Sequence, residues 1–124
     1  MDKTIRRSRA EGSVTAPSSK SYAQRAVAAA LLCEGTSTLT NMILCDDTRA
    51  ALQVAADLGA EVEAGTDGTT YTVRGGLRPH AQAIHIGESG LAARLFTPIA
   101  ALCGERITIT GQGSILRRPL AMME

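Results

Sequence analysis

The sequence predicts a mixed α/β fold, and three observations lead there. Stretches of helical character alternate with short runs of β-prone residues, and glycine-rich turns separate them. Sliding the chain by 70 residues brings Ser19 onto Ser89, Ala23 onto Ala93, Ala30 onto Ala100 and Leu32 onto Leu102. The same shift brings Cys33 onto Cys103, Thr38 onto Thr108 and Thr40 onto Thr110, so a helix–turn–strand unit recurs without a gap. Finally, Tyr22, Tyr71 and Phe96 are the only aromatic residues, so Ala, Leu, Val and Ile must build the core.

Residues 4–15 read as an extended segment, with Ile5, Val14 and Thr15 as strand formers and Gly12 as a break. Pro17 holds Ala16 extended, so the first helix starts after it. Ser18 or Ser19 is the candidate cap. Ala-rich sequence over residues 20–33 propagates the helix, and Gly35 is placed to stop it. Residues 36–40 are β-prone. Asp46 or Asp47 is the candidate cap of a second helix over residues 49–58, with Leu52, Ala55 and Ala56 as its buried stripe and Gly59 as its stop. Residues 61–64 and 69–73 flank Gly65-Thr66-Asp67-Gly68 as a hairpin. A strand over residues 83–86 runs into Gly87-Glu88-Ser89-Gly90, and a third helix over residues 91–102 follows, with Pro98 expected to kink it or mark a weak turn. Residues 106–110 read as a strand and Gly111-Gln112-Gly113-Ser114 as a flexible loop. Arg117-Arg118-Pro119 then leads into a further helix.

Lys and Arg total 13 against 12 for Asp and Glu, so no global field draws in nucleic acid or a membrane surface. No apolar run approaches the ~20 residues of a membrane span. Arg6, Arg7 and Arg9 are not followed by an apolar stretch, so they do not form a secretory signal. Cys33, Cys45 and Cys103 are odd in number and lack metal-like spacing, which points to reduced thiols in a cytoplasmic protein with no metal. Any attraction for an anion must therefore come from local clustering.

Two helix starts supply such clustering. Lys20 sits in the first turn of one, with Ser21, Gln24 and Arg25 on a shared face. A cation there opposes the helix dipole by about 0.3–1 kcal/mol, a cost that a bound anion would offset. The equivalent start carries Glu88, Ser89, Gly90 and Arg94, and the glycine-rich loop beyond ends in Arg117-Arg118. Arginine suits bidentate recognition of carboxylate or phosphate, and Lys acts as a point charge. There is no P-loop and no dinucleotide fingerprint, and neither His80 nor His85 has a catalytic partner evident in the sequence.

At these residues a family emerges. Pro17-Ser18-Ser19-Lys20-Ser21 with Arg25 resembles the opening signature of the 5-enolpyruvylshikimate-3-phosphate synthases, the 3-phosphoshikimate 1-carboxyvinyltransferases. Leu39-Thr40-Asn41 followed by Asp46-Asp47-Thr48-Arg49 is similar to their next block. The run from Gly87 to Arg94 resembles their Gly-Asn-Ala-Gly-Thr-Ala-x-Arg segment, and Thr110-Gly111 with Arg118-Pro119 resembles the loop after it.

The resemblance implies transfer of the enolpyruvyl group of phosphoenolpyruvate to shikimate-3-phosphate, in the biosynthesis of chorismate and aromatic amino acids. It implies no metal or cofactor, no covalent enzyme intermediate, a cytoplasmic monomeric enzyme, and glyphosate as inhibitor. It implies that Lys20, Gly90 and Arg118 contact phosphoenolpyruvate, that Ser21 and Arg25 contact shikimate-3-phosphate, and that Arg94 and Asp47 support them. The implied architecture is an inside-out barrel of βαβαββ repeats. Residues 1–16 would be a strand segment of the other domain, 17–87 a first repeat, and 88–124 the start of a second.

The family's general acid/base groups would lie beyond Glu124, so the chain is expected to be an N-terminal part without turnover and prone to self-association. Where the commoner pattern has Asn, Ala and Thr, this chain has Glu88, Ser89 and Leu91, and Leu91 is expected to alter affinity for phosphoenolpyruvate or glyphosate. The sister enzymes acting on UDP-N-acetylglucosamine have Lys-Asn near the start and a Cys before Arg-Pro, whereas this chain has Lys20-Ser21 and no Cys in residues 113–116. Two further readings are a non-catalytic anion-binding module of the same fold and a relative of the RNA 3′-phosphate cyclases. The balanced charge and the lack of an aromatic-basic stripe argue against the last.

Overall fold

Lys20 to Leu32 form α1, and Ser19 starts it by accepting the Tyr22 N–H on its side chain at 3.4 Å. The structure is a computed structural model that describes residues 2–119 and 121. The remaining elements are β1 (Thr36–Leu39), α2 (Asp46–Asp57), β2 (Glu61–Ala64), β3 (Tyr71–Arg74), β4 (Ala83–His85), α3 (Gly90–Ala101), β5 (Thr108–Thr110) and a 3₁₀ turn (Gly113–Arg117). The fold is mixed α/β, as the alternation predicts. The extended segment before α1 takes no strand partner among the described residues, and its strand formers Ile5 and Val14 are 95% and 94% exposed.

Ser18 does not share the capping of α1. Its hydroxyl instead accepts the Ile43 N–H at 3.0 Å, which ties the connector before α2 back to the start of α1. The stop at the far end of α1 also differs from expectation. Gly35 does not take the left-handed conformation. The end carbonyl of Leu31 accepts the N–H of Gly76 at 2.9 Å, and Gly75 donates to the Gly35 carbonyl at 2.9 Å. A Cβ on Gly75 would fall on the carbonyl oxygens of Ala30 and Cys33. The helix is thus closed by a loop some forty residues downstream, which only a residue without a side chain can approach.

α2 begins earlier than expected, with Cys45 rather than Asp46 or Asp47 as its cap. Thr48 decides this. Its hydroxyl oxygen accepts the Cys45 N–H at 2.8 Å from within the first turn. Asp46 and Asp47 then lie inside that turn, where carboxylates complement the helix dipole. Gly59 ends α2 as expected, at φ +121°. Its N–H bonds to Ala56 and that of Ala60 bonds to Ala55, the two bonds of a Schellman motif.

β1, β3 and β2 form one antiparallel sheet in that order, with β2 and β3 paired as the expected hairpin in the register Glu61↔Arg74 to Ala64↔Tyr71. β4 and β5 form a separate parallel pair, joined through α3. The three helices contact one another, with α1 against β1 and β3 and α2 against β2 and β4. The core between them is aliphatic apart from Phe96 and Tyr71, and its largest wholly buried apolar side chains include Leu31, Leu58, Ile84 and Val73. α3 runs through Pro98 to Ala101. Pro98 removes one backbone bond but lies on the exposed side, and burial of Phe96, Ile99 and Ala100 keeps the turn helical. Residues 113–117 form a turn rather than a flexible loop. The helix expected after Pro119 falls mostly on residues 120 and 122–124, outside the described residues.

One buried polar pair crosses the helix layer. Ser89 Oγ donates to Gln24 Oε1 at 2.8 Å and accepts the Ala92 N–H at 3.1 Å, while Gln24 is 1% and Ser89 4% exposed. The hairpin tip is organised by Asp67. One of its carboxylate oxygens accepts the N–H groups of Thr69 and Thr70 at 2.9 and 2.8 Å, and the other accepts the Thr70 hydroxyl at 2.7 Å. The Thr70 hydroxyl, followed by the two N–H groups, holds the Asp67 carboxyl down to about 2.

Two expectations follow from these contacts. Gly75→Ala should cost about 2 kcal/mol or more in urea unfolding. Gly68→Ala, at φ +70° with open space around it, should cost about 1 kcal/mol from backbone strain alone. Equal costs would contradict the closing role of Gly75. A carboxyl held low gives its stabilisation above its unfolded pKa and loses it as pH falls. The stabilisation should therefore fade as pH drops from about 4 toward 2, and the Thr69 and Thr70 amide signals of the folded chain should titrate with a midpoint near pH 2. Asp67→Asn should abolish that titration.

Candidate functional site

The starts of α1 and α3 lie 70 residues apart and share one local design. Each is capped by a serine in extended conformation, Ser19 at φ −76°, ψ 117° and Ser89 at φ −78°, ψ 108°. Each cap accepts the N–H three residues on. The Ser89–Gln24 bond then sets the two starts side by side. Between them opens a cleft of about 360 Å³. α1 contributes Lys20, Ser21 and Gln24 to its wall, and α2 contributes Asp47. The start of α3 contributes residues 88–91, and the 3₁₀ turn and its end contribute Ser114 and Arg118.

Lys20 Nζ lies 2.9 Å from Asp47 Oδ2, with the lysine mostly exposed and the aspartate mostly covered. The hydrogen bond and charge of Asp47 raise the Lys20 pKa above its usual value, so the ammonium is fully charged at neutral pH. Asp47 reaches it from the first turn of α2, where Thr48 and Cys45 fix the helix start. Burial pushes the Cys45 thiol up, but hydrogen bonds from Thr48 and from the Asp47 N–H outweigh it and leave the thiol below its ordinary value.

Arg118 lies over the start of α3. A Cβ on Gly90 would stand 2.7 Å from Arg118 Nη1 and 3.1 Å from Arg94 Nη1. Glycine is therefore what lets two guanidinium groups close on this helix start. Arg94 is held there by its bond to the Gly90 carbonyl at 2.8 Å. Arg118 follows the 3₁₀ turn, which the buried Ile115 anchors to the core and which a bond from Gln112 N–H to the Gly87 carbonyl at 2.9 Å ties to the α3 approach.

The structure thus brings Lys20, Ser21, Gly90 and Arg118 to one cleft, with Asp47 paired to Lys20 and Arg94 flanking Gly90. Arg25 is placed differently. It is exposed one turn along α1, bonded to the Ser21 carbonyl at 3.0 Å, and does not line the cleft. Leu91 lines it as the one large apolar side chain. His85 bonds to Thr110 across β4 and β5 at 3.0 Å, away from the cleft. Two residues of the clusters named from sequence take contacts that the sequence does not show. Gln24 shares the Ser21 face by spacing, but its bond to Ser89 is not legible there, and Glu88 carries no local signal of its contact with Ser114. Among the described residues no group of three His, Cys, Asp or Glu could hold a metal, and no helix is long and apolar enough to cross a membrane. With two helix N-termini, an ammonium and a guanidinium converging, the cleft is built to hold an anion.

Comparison with known proteins gives the family. The model of the EPSP synthase family (3-phosphoshikimate 1-carboxyvinyltransferase) matches residues 5–123. A 3-phosphoshikimate 1-carboxyvinyltransferase of Chlamydia caviae is 40% identical over 111 residues, covering 89% of this chain and 25% of that protein. One of Methanothermobacter thermautotrophicus is 36% identical over 121 residues, covering 97% of this chain and 29% of that protein. Among solved structures, the EPSP synthase from Acinetobacter baumannii aligns with a TM-score of 0.72 at 29% identity, over 88% of this chain and 26% of that one. The chain spans about a quarter of the length of these relatives. With the cleft residues falling inside a family match that covers nearly every position, the chain belongs to the EPSP synthase family.

Proposed function

We propose that this chain supplies the phosphoenolpyruvate wall of the active site of a 3-phosphoshikimate 1-carboxyvinyltransferase. The observation that carries the reading is the meeting of both helix starts, Lys20 and Arg118 in one cleft. Lys20, the Gly90 backbone and Arg118 engage the phosphate and carboxylate of phosphoenolpyruvate. Ser21 and Arg25 engage shikimate-3-phosphate on the open side of α1, where Arg25 is exposed and free to turn outward. Asp47 holds Lys20 extended toward the cleft until the anion arrives, and Arg94 adds charge beside Gly90. As charge develops on the phosphate during enolpyruvyl transfer, these fixed cations stabilise it without reorganising. The acid and base that build and collapse the tetrahedral adduct come from outside this chain, and no metal or cofactor takes part.

In the complete enzyme the helix–strand units are βαβαββ repeats of an inside-out barrel, and residues 1–16 join the second domain. The exposed Ile5 and Val14, strand formers without a partner here, support that placement. The 70-residue spacing of α1 and α3 supports the repeat.

Calorimetric titration tests the reading. Phosphoenolpyruvate should bind saturably, and Lys20→Ala or Arg118→Ala should weaken it by about tenfold each. Gly90→Ala should weaken it similarly, because the new methyl displaces the Arg118 guanidinium. Arg25→Ala should spare phosphoenolpyruvate and weaken shikimate-3-phosphate. Phosphoenolpyruvate binding unchanged in Arg118→Ala would refute the assignment.

A further inference from the structure

Glu88 brings a negative charge to a cleft otherwise suited to anions, and its contacts explain what it does there. Glu88 Oε2 accepts the Ser114 N–H at 3.0 Å, across 26 residues of chain. The seat for the carboxylate exists because residue 113 is glycine. Gly113 takes φ +57°, and a Cβ there would fall on the Glu88 carboxylate. The turn so gripped is the one that delivers Arg118, whose own N–H closes it by bonding to the Ile115 carbonyl at 3.1 Å. The Ser114 N–H and hydroxyl, with Arg117 and Arg118 nearby, keep the carboxyl below its usual range, so the grip is ionised at neutral pH.

We propose that Glu88 is a positioning residue of the cleft: its carboxylate latches the Gly113–Arg117 turn and so sets Arg118 over Gly90, while its charge restrains the cleft's affinity for anions. The two effects have opposite signs, and substitutions separate them. Glutamine keeps an oxygen for the Ser114 N–H and drops the charge. Alanine drops both. The proposal rests on the cleft being an anion site, and its test includes a readout that does not depend on binding.

The test uses isotopically labelled chain and inorganic phosphate, followed by NMR. Without phosphate, Glu88→Gln should leave the Ser114 amide and Arg118 side-chain N–H signals near their wild-type positions, and Glu88→Ala should move both. With phosphate, Glu88→Gln should bind roughly threefold tighter than wild type through loss of a repulsive charge. Glu88→Ala should bind roughly fivefold more weakly through loss of the latch. Should Glu88→Ala not fold, Gly113→Ala, which drives the carboxylate from its seat, should move the same two signals. The proposal is overturned if removing or unseating the carboxylate leaves those signals in place, or if Glu88→Ala binds phosphate as tightly as Glu88→Gln. A wild-type chain that binds no phosphate would defeat the anion reading, and the two signals would still decide whether the latch exists.

Discussion

The hydrogen bond from Ser89 Oγ to Gln24 Oε1 is the contact on which the arrangement of this molecule depends. The alanine-rich faces of α1 and α3 offer apolar contact with little directional preference. A buried amide and a buried hydroxyl do have direction. Leaving either unpaired costs about 1–3 kcal/mol, so placements that join them are favoured. The same hydroxyl accepts the Ala92 N–H, so one oxygen both starts α3 and docks it. Because Gln24 lies one turn from Lys20, the bond also decides where Lys20 stands relative to Gly90.

Electrostatics is layered on that frame. Like charges collected at one cleft would repel, and two of the three cations gathered here have a local partner. Lys20 meets Asp47, and Arg94 bonds to the Gly90 carbonyl. The side chains are therefore extended toward the cleft before any ligand enters, which lowers the ordering cost of binding. Gly90 serves the same end by omission, since any side chain there would hold Arg118 away from the helix start.

Features encoded by neighbours in sequence were legible. A serine cap at residue 18 or 19, the Gly59 stop and a hairpin over 61–64 and 69–73, observed with its second strand at Tyr71–Arg74, all follow from spacings of a few residues. Features set by distant chain were not. Gly35 looks like the stop of α1, but Gly75 and Gly76 perform it from a loop folded back across the helix end. The cap of α2 lies at Cys45 because the Thr48 hydroxyl reaches back to accept the Cys45 N–H, a capping-box contact that a cap preference for aspartate does not register. The Gly111–Ser114 stretch reads as flexible because its glycines are visible and the distant Glu88 that grips it is not. In the cleft, Lys20 and Arg118 stood out as motif residues, whereas Gln24 looked like an ordinary helical amide.

The central claim is that the starts of α1 and α3 form a single anion site. Amide chemical shifts during a phosphoenolpyruvate titration test it most directly. The account predicts that Ser21 at the start of α1 and Leu91 at the start of α3 move along one binding curve with one Kd, and that Ser89→Ala disturbs both responses together. Movement at one start alone, or two curves with unrelated Kd values, would contradict it.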